Sequence, residues 1–440
     1  MLKASNVNTS RAARRIMYCA VGAVLLTIPT LAVADETFVL QSVVAVPGNP
    51  AGNKLLSFDI SWVDPAIHTY FLADRSNKSV DVVDTRTKNI TQIIPTGADA
   101  FVGFTGNNDT SGPNGVLTLQ ANRGEDDQGD HHHGGTQVWV GDGVSAQSMA
   151  TTGATCAAHP PGSTTLLNGA CSTLKIFQVG NNDPIRIVPT NGLARADELC
   201  FDPHDHLVMI ANDADNPPFI TFISTEGNNK VLGQVTLPQA GGGVEQCAWN
   251  PRNGLIYLAL PAPSNPGGTG TVLIIDPRHE TILNSIPEDA NCSANGLAIG
   301  PGHQILLGCN KPNEAAILDD RTNAITTIPG QGGSDEVWFN PGDGHYFLGE
   351  SSNTVPQLGI IDSLSEAVGQ VDQDIKTGAS AHSVAADPVA NQAYVPIKGG
   401  TATICSTFSM NAADDANGCI AIFGASGPNE QAVFVSRHHH

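Results

Sequence analysis

The sequence predicts an all-β fold, a seven-bladed β-propeller of four-stranded antiparallel blades, on three observations. A strand-turn-strand unit recurs along the chain, mostly at spacings of about 40–50 residues. Gly and Pro number 46 and 28 among 440 residues, while charged residues make up only 14%. That balance belongs to many short strands and turns rather than helices. Finally, no stretch beyond the N-terminus keeps a helical hydrophobic period.

The N-terminus stands apart. Arg11, Arg14 and Arg15 precede an apolar run from Ile16 to Val33, which closes in Ala32-Val33-Ala34. A basic region, an apolar region and an A-x-A site describe a secretory signal peptide over 1–34, with an uncleaved anchor as the alternative. The leader carries four basic residues and no acid, so its removal moves the formal charge from −21 to −25. A chain this acidic is unsuited to nucleic acid or to anionic membrane surfaces, and no membrane insertion is expected after cleavage. The expected location is periplasmic or secreted.

The remaining 35–437 reads as a single domain, and the terminal His tract, 438–440, is set aside. First strands are legible in "DISWVDP" (59–65), "DAFVGF" (99–104), "DELCFDP" (197–203), "EQCAWNP" (245–251), "NGLAIGP" (295–301), "DEVWFNP" (335–341) and "HSVAADP" (382–388). Second strands follow, such as "TYFLAD" and "LIYLAL", then third strands such as "SVDVVD" and fourth strands such as "ITQIIP". Positions 99 and 197 lie 98 residues apart, which leaves room for an eighth blade. A long insertion in blade 2 is preferred, because only "TQVWVGD", "TLKIFQV" and "PIRIVP" read as later strands there. Insertions are expected at 105–136, 141–172 and 399–420. The last blade lacks one strand, and "TFVLQSVVAVP" (37–47) can supply it, closing the ring and covering its edges.

Two resemblances accompany this reading. "NKSVDVVDTRTKNITQIIPTG" (77–97) resembles the repeat of the YVTN family of seven-bladed propellers, and "AHSVAADPVANQAYVPI" is similar to that family's inner strand pair. The likeness implies the fold and is nearly silent on activity. The inner-strand pattern also resembles the SMP-30/gluconolactonase propellers. There a Glu, an Asn and an Asp in this position hold a divalent metal that activates water on a lactone or ester. Glu245, Asn295 and Asp335 match that position. That family has six blades, where this chain shows seven.

Eight cysteines remain after the leader, an even number that fits disulfides in an exported chain. The blade assignment suggests Cys156–Cys171 in the blade 2 insertion, Cys292–Cys309 across a hairpin and Cys405–Cys419 in blade 7. Cys200 and Cys247 sit at opposite parity on neighbouring first strands, so a bridge between blades 3 and 4 is expected.

First strands of a propeller line its axis. The residues that open them, Asp59, Asp99, Asp197, Glu245, Asn295, Asp335 and His382, are expected to form one ring. The second-strand ends Asp74, Asp142, Asn212, Asn310 and Glu350 are expected nearby, with Arg75, Lys311 and Lys398 compensating. Converging carboxylates either hold protons or face a cation. Oxygen donors without cysteine suit a divalent metal, Ca2+ above all. His382 and Asp197 are the candidates for proton transfer. Asp before a strand also caps turns, so a purely structural ring is the competing reading.

"RGEDDQGDHHHGG" (123–135) is read as a solvated loop, with transition-metal binding by His131–His133 as the alternative. No G-x-S-x-G, HExxH or Walker A motif is present. Two functions follow. One is an exported propeller that takes a small-molecule or glycan ligand and a divalent metal at its channel mouth, with metal-assisted hydrolysis of a lactone or ester. The other is a noncatalytic scaffold that binds a protein or glycan through its loops.

Overall fold

A computed structural model describes residues 37–46, 54–95, 101–121, 135–145, 158–159, 165–166, 170–311, 314–363, 370–408 and 412–426. They form seven four-stranded antiparallel blades around an axis. Blade 1, for example, runs outward through Ser61–Asp64, Thr69–Asp74, Ser79–Asp84 and Asn89–Ile94. Blades 3 to 6 repeat this order, with first strands Leu199–Asp202, Cys247–Asn250, Ala294–Ile299 and Val337–Asn340.

The recurring Asp/Asn-Pro step has a local cause. Asp64 Oδ1 accepts the backbone N–H of Ala66 at 2.9 Å, and Asn250, Asn340 and Asp387 do the same two residues on. Each side chain thus builds the turn between first and second strands. Four residues after these positions, and after Asp202, which accepts from His204 N–H in the same way, the backbone turns left-handed, at His68, His206, Gly254, Gly344 and Asn391. The Asp-Thr turn of residues 77–97 works alike, since Asp84 Oδ1 accepts from Arg86 and Thr87 N–H at 2.9 and 2.8 Å.

The core is divided by the architecture. Seven apolar clusters fill the seven interfaces between neighbouring blades. Between blades 7 and 1 the stacked rings of Tyr70 and Tyr394 lie 4.9 Å apart, and between blades 3 and 4 Met209 joins Leu258. Second strands are buried on both faces, as in Thr69–Asp74 and Leu207–Asn212. This is why they read as near-continuous apolar runs rather than alternating ones.

Ring closure follows the expectation. Phe38–Ala45 pairs antiparallel with Gly418–Ala425 and becomes the outermost strand of blade 7. Gln373 clamps this strand, accepting from Phe38 N at 2.8 Å and donating to Phe38 O at 2.9 Å. Three of the expected disulfides are present: Cys200–Cys247 between blades 3 and 4, Cys292–Cys309 and Cys405–Cys419. Cys171 is also disulfide-bonded; its expected partner Cys156 lies outside the described residues. No helix among the described residues is long and apolar enough to cross a membrane.

Blade 2 differs from the sequence reading. Its first strand is Val116–Gln120, inside the segment assigned to an insertion over 105–136, and not 99–104. Phe101 to Phe104 belong to the connection from blade 1, where Gly103 bridges Gly112. Asp99 lies outside the described residues, and Asn114 takes the ring position assigned to it. The physical reason is that "NGVLTLQ" lacks both the acidic opening and the closing Pro of its sisters. Its kinship to "NGLAIGP" in blade 5 is the signal that identifies it. With this strand the described residues form seven blades, and none of them forms an eighth.

Candidate functional site

One backbone register places the ring. The N–H groups of Asp59, Asn114, Asp197, Glu245 and Asp335 each donate to a second-strand carbonyl, at 2.8–3.2 Å. Asn295 and His382 hold the same place in blades 5 and 7. Links between blades fix the spacing: Gln246 N donates to Asn295 O at 3.1 Å, and Glu336 N to His382 O at 3.0 Å.

Asp59, Asp197, Glu245, Asn295, Asp335 and His382 line one cavity of about 1040 Å³. Side chains one residue further along form its floor. Glu198 and Glu336, 5% and 4% exposed, hydrogen-bond to each other, and Gln246 Nε2 donates to Glu336 at 3.2 Å. Gln246 Oε1 also accepts the N–H groups of Leu297 (2.7 Å) and Val337 (3.2 Å), tying three blades together on the axis. Trp62 of blade 1 and Trp338 of blade 6 meet edge to face with centroids 5.0 Å apart. Blades 1 and 6 are not neighbours, so these rings narrow the axial channel.

The cavity contains two arginines, and both are committed. Arg75, 2% exposed, pairs with Asp59 and donates to Asn114 Oδ1 from Nε and Nη2 at 3.0 and 2.8 Å. Arg195 serves Asp197 at 2.7 Å and Asp213 at 2.9 Å. His382 stacks on Phe58 at 4.9 Å, holds Ser380 O at 2.9 Å through Nδ1 and faces Asp59 through Nε2 at 3.6 Å. A carbonyl can only accept, so Nδ1 carries a proton.

These contacts set the charges. Burial alone would raise the Asp59 carboxyl, but Arg75, the His382 hydrogen bond and Arg195 hold it well below the usual range. Burial opposes a charged His382, yet Asp59 and Asp335 raise its pKa. Burial pushes Asp197 up, Arg195 pulls against it, and Asp59 and Asp213 add to the rise. Glu245 is pushed well above the carboxylate range by burial, then by Asp335 and Asp213. Glu336 rises to about 7 through burial, and Glu198 rises through burial and the nearby Glu336. The Glu245 carboxyl makes no hydrogen bond or ion pair among the described residues.

The residues proposed as metal ligands are placed as follows. Asn295 Nδ2 donates to Asp335 Oδ1 at 3.0 Å, and Asn295 Oδ1 accepts from Asn310 at 3.2 Å. An amide N–H, which no cation accepts as a ligand, therefore points at Asp335. Among the described residues no three His, Cys, Asp or Glu side chains form a metal-holding group. In this arrangement the Asn295 N–H faces Asp335 while its oxygen is taken up by Asn310. His131–His133 lie outside the described residues.

Most second-strand ends expected near the ring are engaged within the blades or between neighbouring blades instead. Asp74 binds Asn77, Asp142 pairs with the fully buried Lys175 at 3.1 Å, and Asn212 donates to Ser172 at 2.8 Å. Glu350 accepts from Gly332 N–H at 2.8 Å and Gln357 at 2.7 Å. Asn310 alone reaches the ring. Of the expected compensating cations, Arg75 and Lys398 line the cavity, while Lys311 is held by Ala290 O.

No family model matches the chain, and no curated protein matches it. Solved structures do. A chain of the "Crystal Structure of Mitotic Checkpoint Complex" is 13% identical with a TM-score of 0.54, covering 94% of this chain and 100% of its own. The "Structure of U3-55K" is 11% identical with a TM-score of 0.54, covering 89% and 99%. At such identities the likeness extends to architecture alone, and by it the chain is a seven-bladed β-propeller.

Proposed function

We propose that this chain is an exported binding propeller of the YVTN type whose axial cavity takes a small ligand carrying positive charge. The leader-like N-terminus and the disulfides support export. The half-buried Glu245 carboxyl supports the ligand class. It sits beside Asp335 with no donor of its own, while both arginines of the cavity are spent on Asp59, Asn114, Asp197 and Asp213. A cation arriving at Glu245 would ionise it and satisfy it at once.

Binding is favoured over catalysis by the same contacts. His382 has its Nδ1 proton engaged by Ser380 O, and Asp59 and Asp335 raise its pKa, which favours the protonated ring over a general base. Asp197 is tied to Arg195. The Asn295 N–H donated to Asp335 gives no support to a metal-activated water there.

The test is calorimetry and thermal melting with spermidine, arginine amide and calcium chloride as separate probes. At least one is expected to bind, to stabilise by about 2.7 kcal/mol at a hundredfold excess over Kd, and to lose that effect in Glu245→Gln. Identical responses of the parent and Glu245→Gln to every probe overturn the reading.

A further inference from the structure

Arg75 and Arg195 answer Asp59, Asp197 and Asp213, and the charged groups of the cavity left over from these pairs stand on opposite sides of the ring. Glu245 opens blade 4, and in a seven-membered ring blade 4 stands opposite the seam between blades 7 and 1. At that seam Lys54 and Lys398 line the cavity. Their segments are tied together, since Gly399 N donates to Leu55 O at 2.8 Å and Leu55 N to Asn417 O at 2.7 Å. Neither ammonium group makes a hydrogen bond or ion pair among the described residues. On the acidic side, the buried Asp197 Oδ1 also lacks a hydrogen-bond partner. Two lysines without a partner among the described residues thus face the Glu245 carboxyl and the free oxygen of Asp197 across one space.

We infer that the ligand is a zwitterion, a short peptide with both termini free. Its ammonium group sits at Glu245 and Asp335, and its carboxylate between Lys54 and Lys398. A simple cation leaves the two lysines unanswered, and a simple anion leaves the carboxyls so. The cavity volume lies just above the ~300–1,000 Å³ of small-molecule sites, which is too large for a single amino acid to fill. The half-exposed Leu56 and Phe104 add an apolar wall for peptide side chains. This inference rests on the axial cavity being the binding site.

The experiment is equilibrium dialysis of the full chain against a synthetic pool of random tripeptides, read by mass spectrometry. Parallel pools are N-acetylated, C-amidated or both. Free tripeptides are expected to be retained, with retention falling about tenfold on blocking either end. Glu245→Gln should abolish discrimination against acetylation, and a Lys54→Gln/Lys398→Gln pair discrimination against amidation. Unchanged melting of both variants shows that folding is intact, and Asp335→Asn serves in place of Glu245→Gln should the latter misfold. Retention indifferent to blocking, or no retention, overturns the inference. If spermidine or calcium then still binds in a Glu245-dependent way, the cationic-ligand reading survives alone; if nothing binds, both fail.

Discussion

Replacing Glu336 by Gln should make the protein more stable at pH 8 and leave it nearly unchanged at pH 4.5. Glu336 is 4% exposed and shares a hydrogen bond with Glu198 on the cavity floor. Its carboxyl titrates at 4.5 in an unperturbed chain and at about 7 in the fold, chiefly because burial penalises the charged form. Between these values the folded state holds a proton that the unfolded state has lost. Stability therefore falls as pH rises through this window, and the full cost is present above pH 7. The interval corresponds to about 3 kcal/mol. Gln keeps the shape and the contact with Gln246 but cannot ionise, so it removes most of that cost. Part of the gain returns through Glu198, which is left as the carboxyl still titrating there, so the figure is an upper bound. The assay is guanidinium denaturation without reductant at intervals from pH 4.5 to 8.5, comparing parent and variant. The two stability profiles should separate progressively above pH 5. Parallel profiles across the range would refute the account of a buried, proton-holding floor.

Two further outcomes follow from the packing. Replacing Cys200 and Cys247 by Ser should cost about 4 kcal/mol by the chain-entropy relation for a separation of 47 residues; a change within 1 kcal/mol in the denaturation midpoint would show that the interface between blades 3 and 4 does not need the bridge. Arg75→Gln removes the buried cation that Asp59 and Asn114 share, and should cost about 3–5 kcal/mol. Arg75→Lys should recover little of this in the same denaturation assay, because an ammonium group does not span both partners; recovery to parental stability would show that charge alone matters there.

The repeat was legible because each blade must build the same turns. Asp64, Asn250, Asn340 and Asp387 are visible as a motif since their side chains perform one local task, and local tasks leave marks in sequence. Ring closure by Phe38–Ala45 was legible as a missing strand, and Cys200–Cys247 from parity on adjacent strands. Blade 2 was misplaced because Val116–Gln120 is entered from Asn-Gly and left without Pro. The ring positions in blades 1 and 3 to 7 follow from strand register, and their side chains do line one cavity. What register cannot convey is which side chains are already spent. Arg195, Asp213, Glu198 and Glu336 went unnoticed because they lie one or two residues off the motif position, and their roles come from contacts between blades.

The pairing of Phe38–Ala45 with Gly418–Ala425 joins the strand ahead of blade 1 to the last strand of blade 7. Earlier blades can fold as they emerge, but the seam cannot be sealed until blade 7 has been made. Until then the lone strand 38–45 and the three-stranded remainder of blade 7 each present unpaired backbone. Lys54 and Lys398 come together only at this seam, through Leu55 and Gly399. A partly made molecule therefore has Glu245 and Asp335 in place before Lys54 and Lys398 are joined, and the proposed site would be completed in the same step that closes the circle.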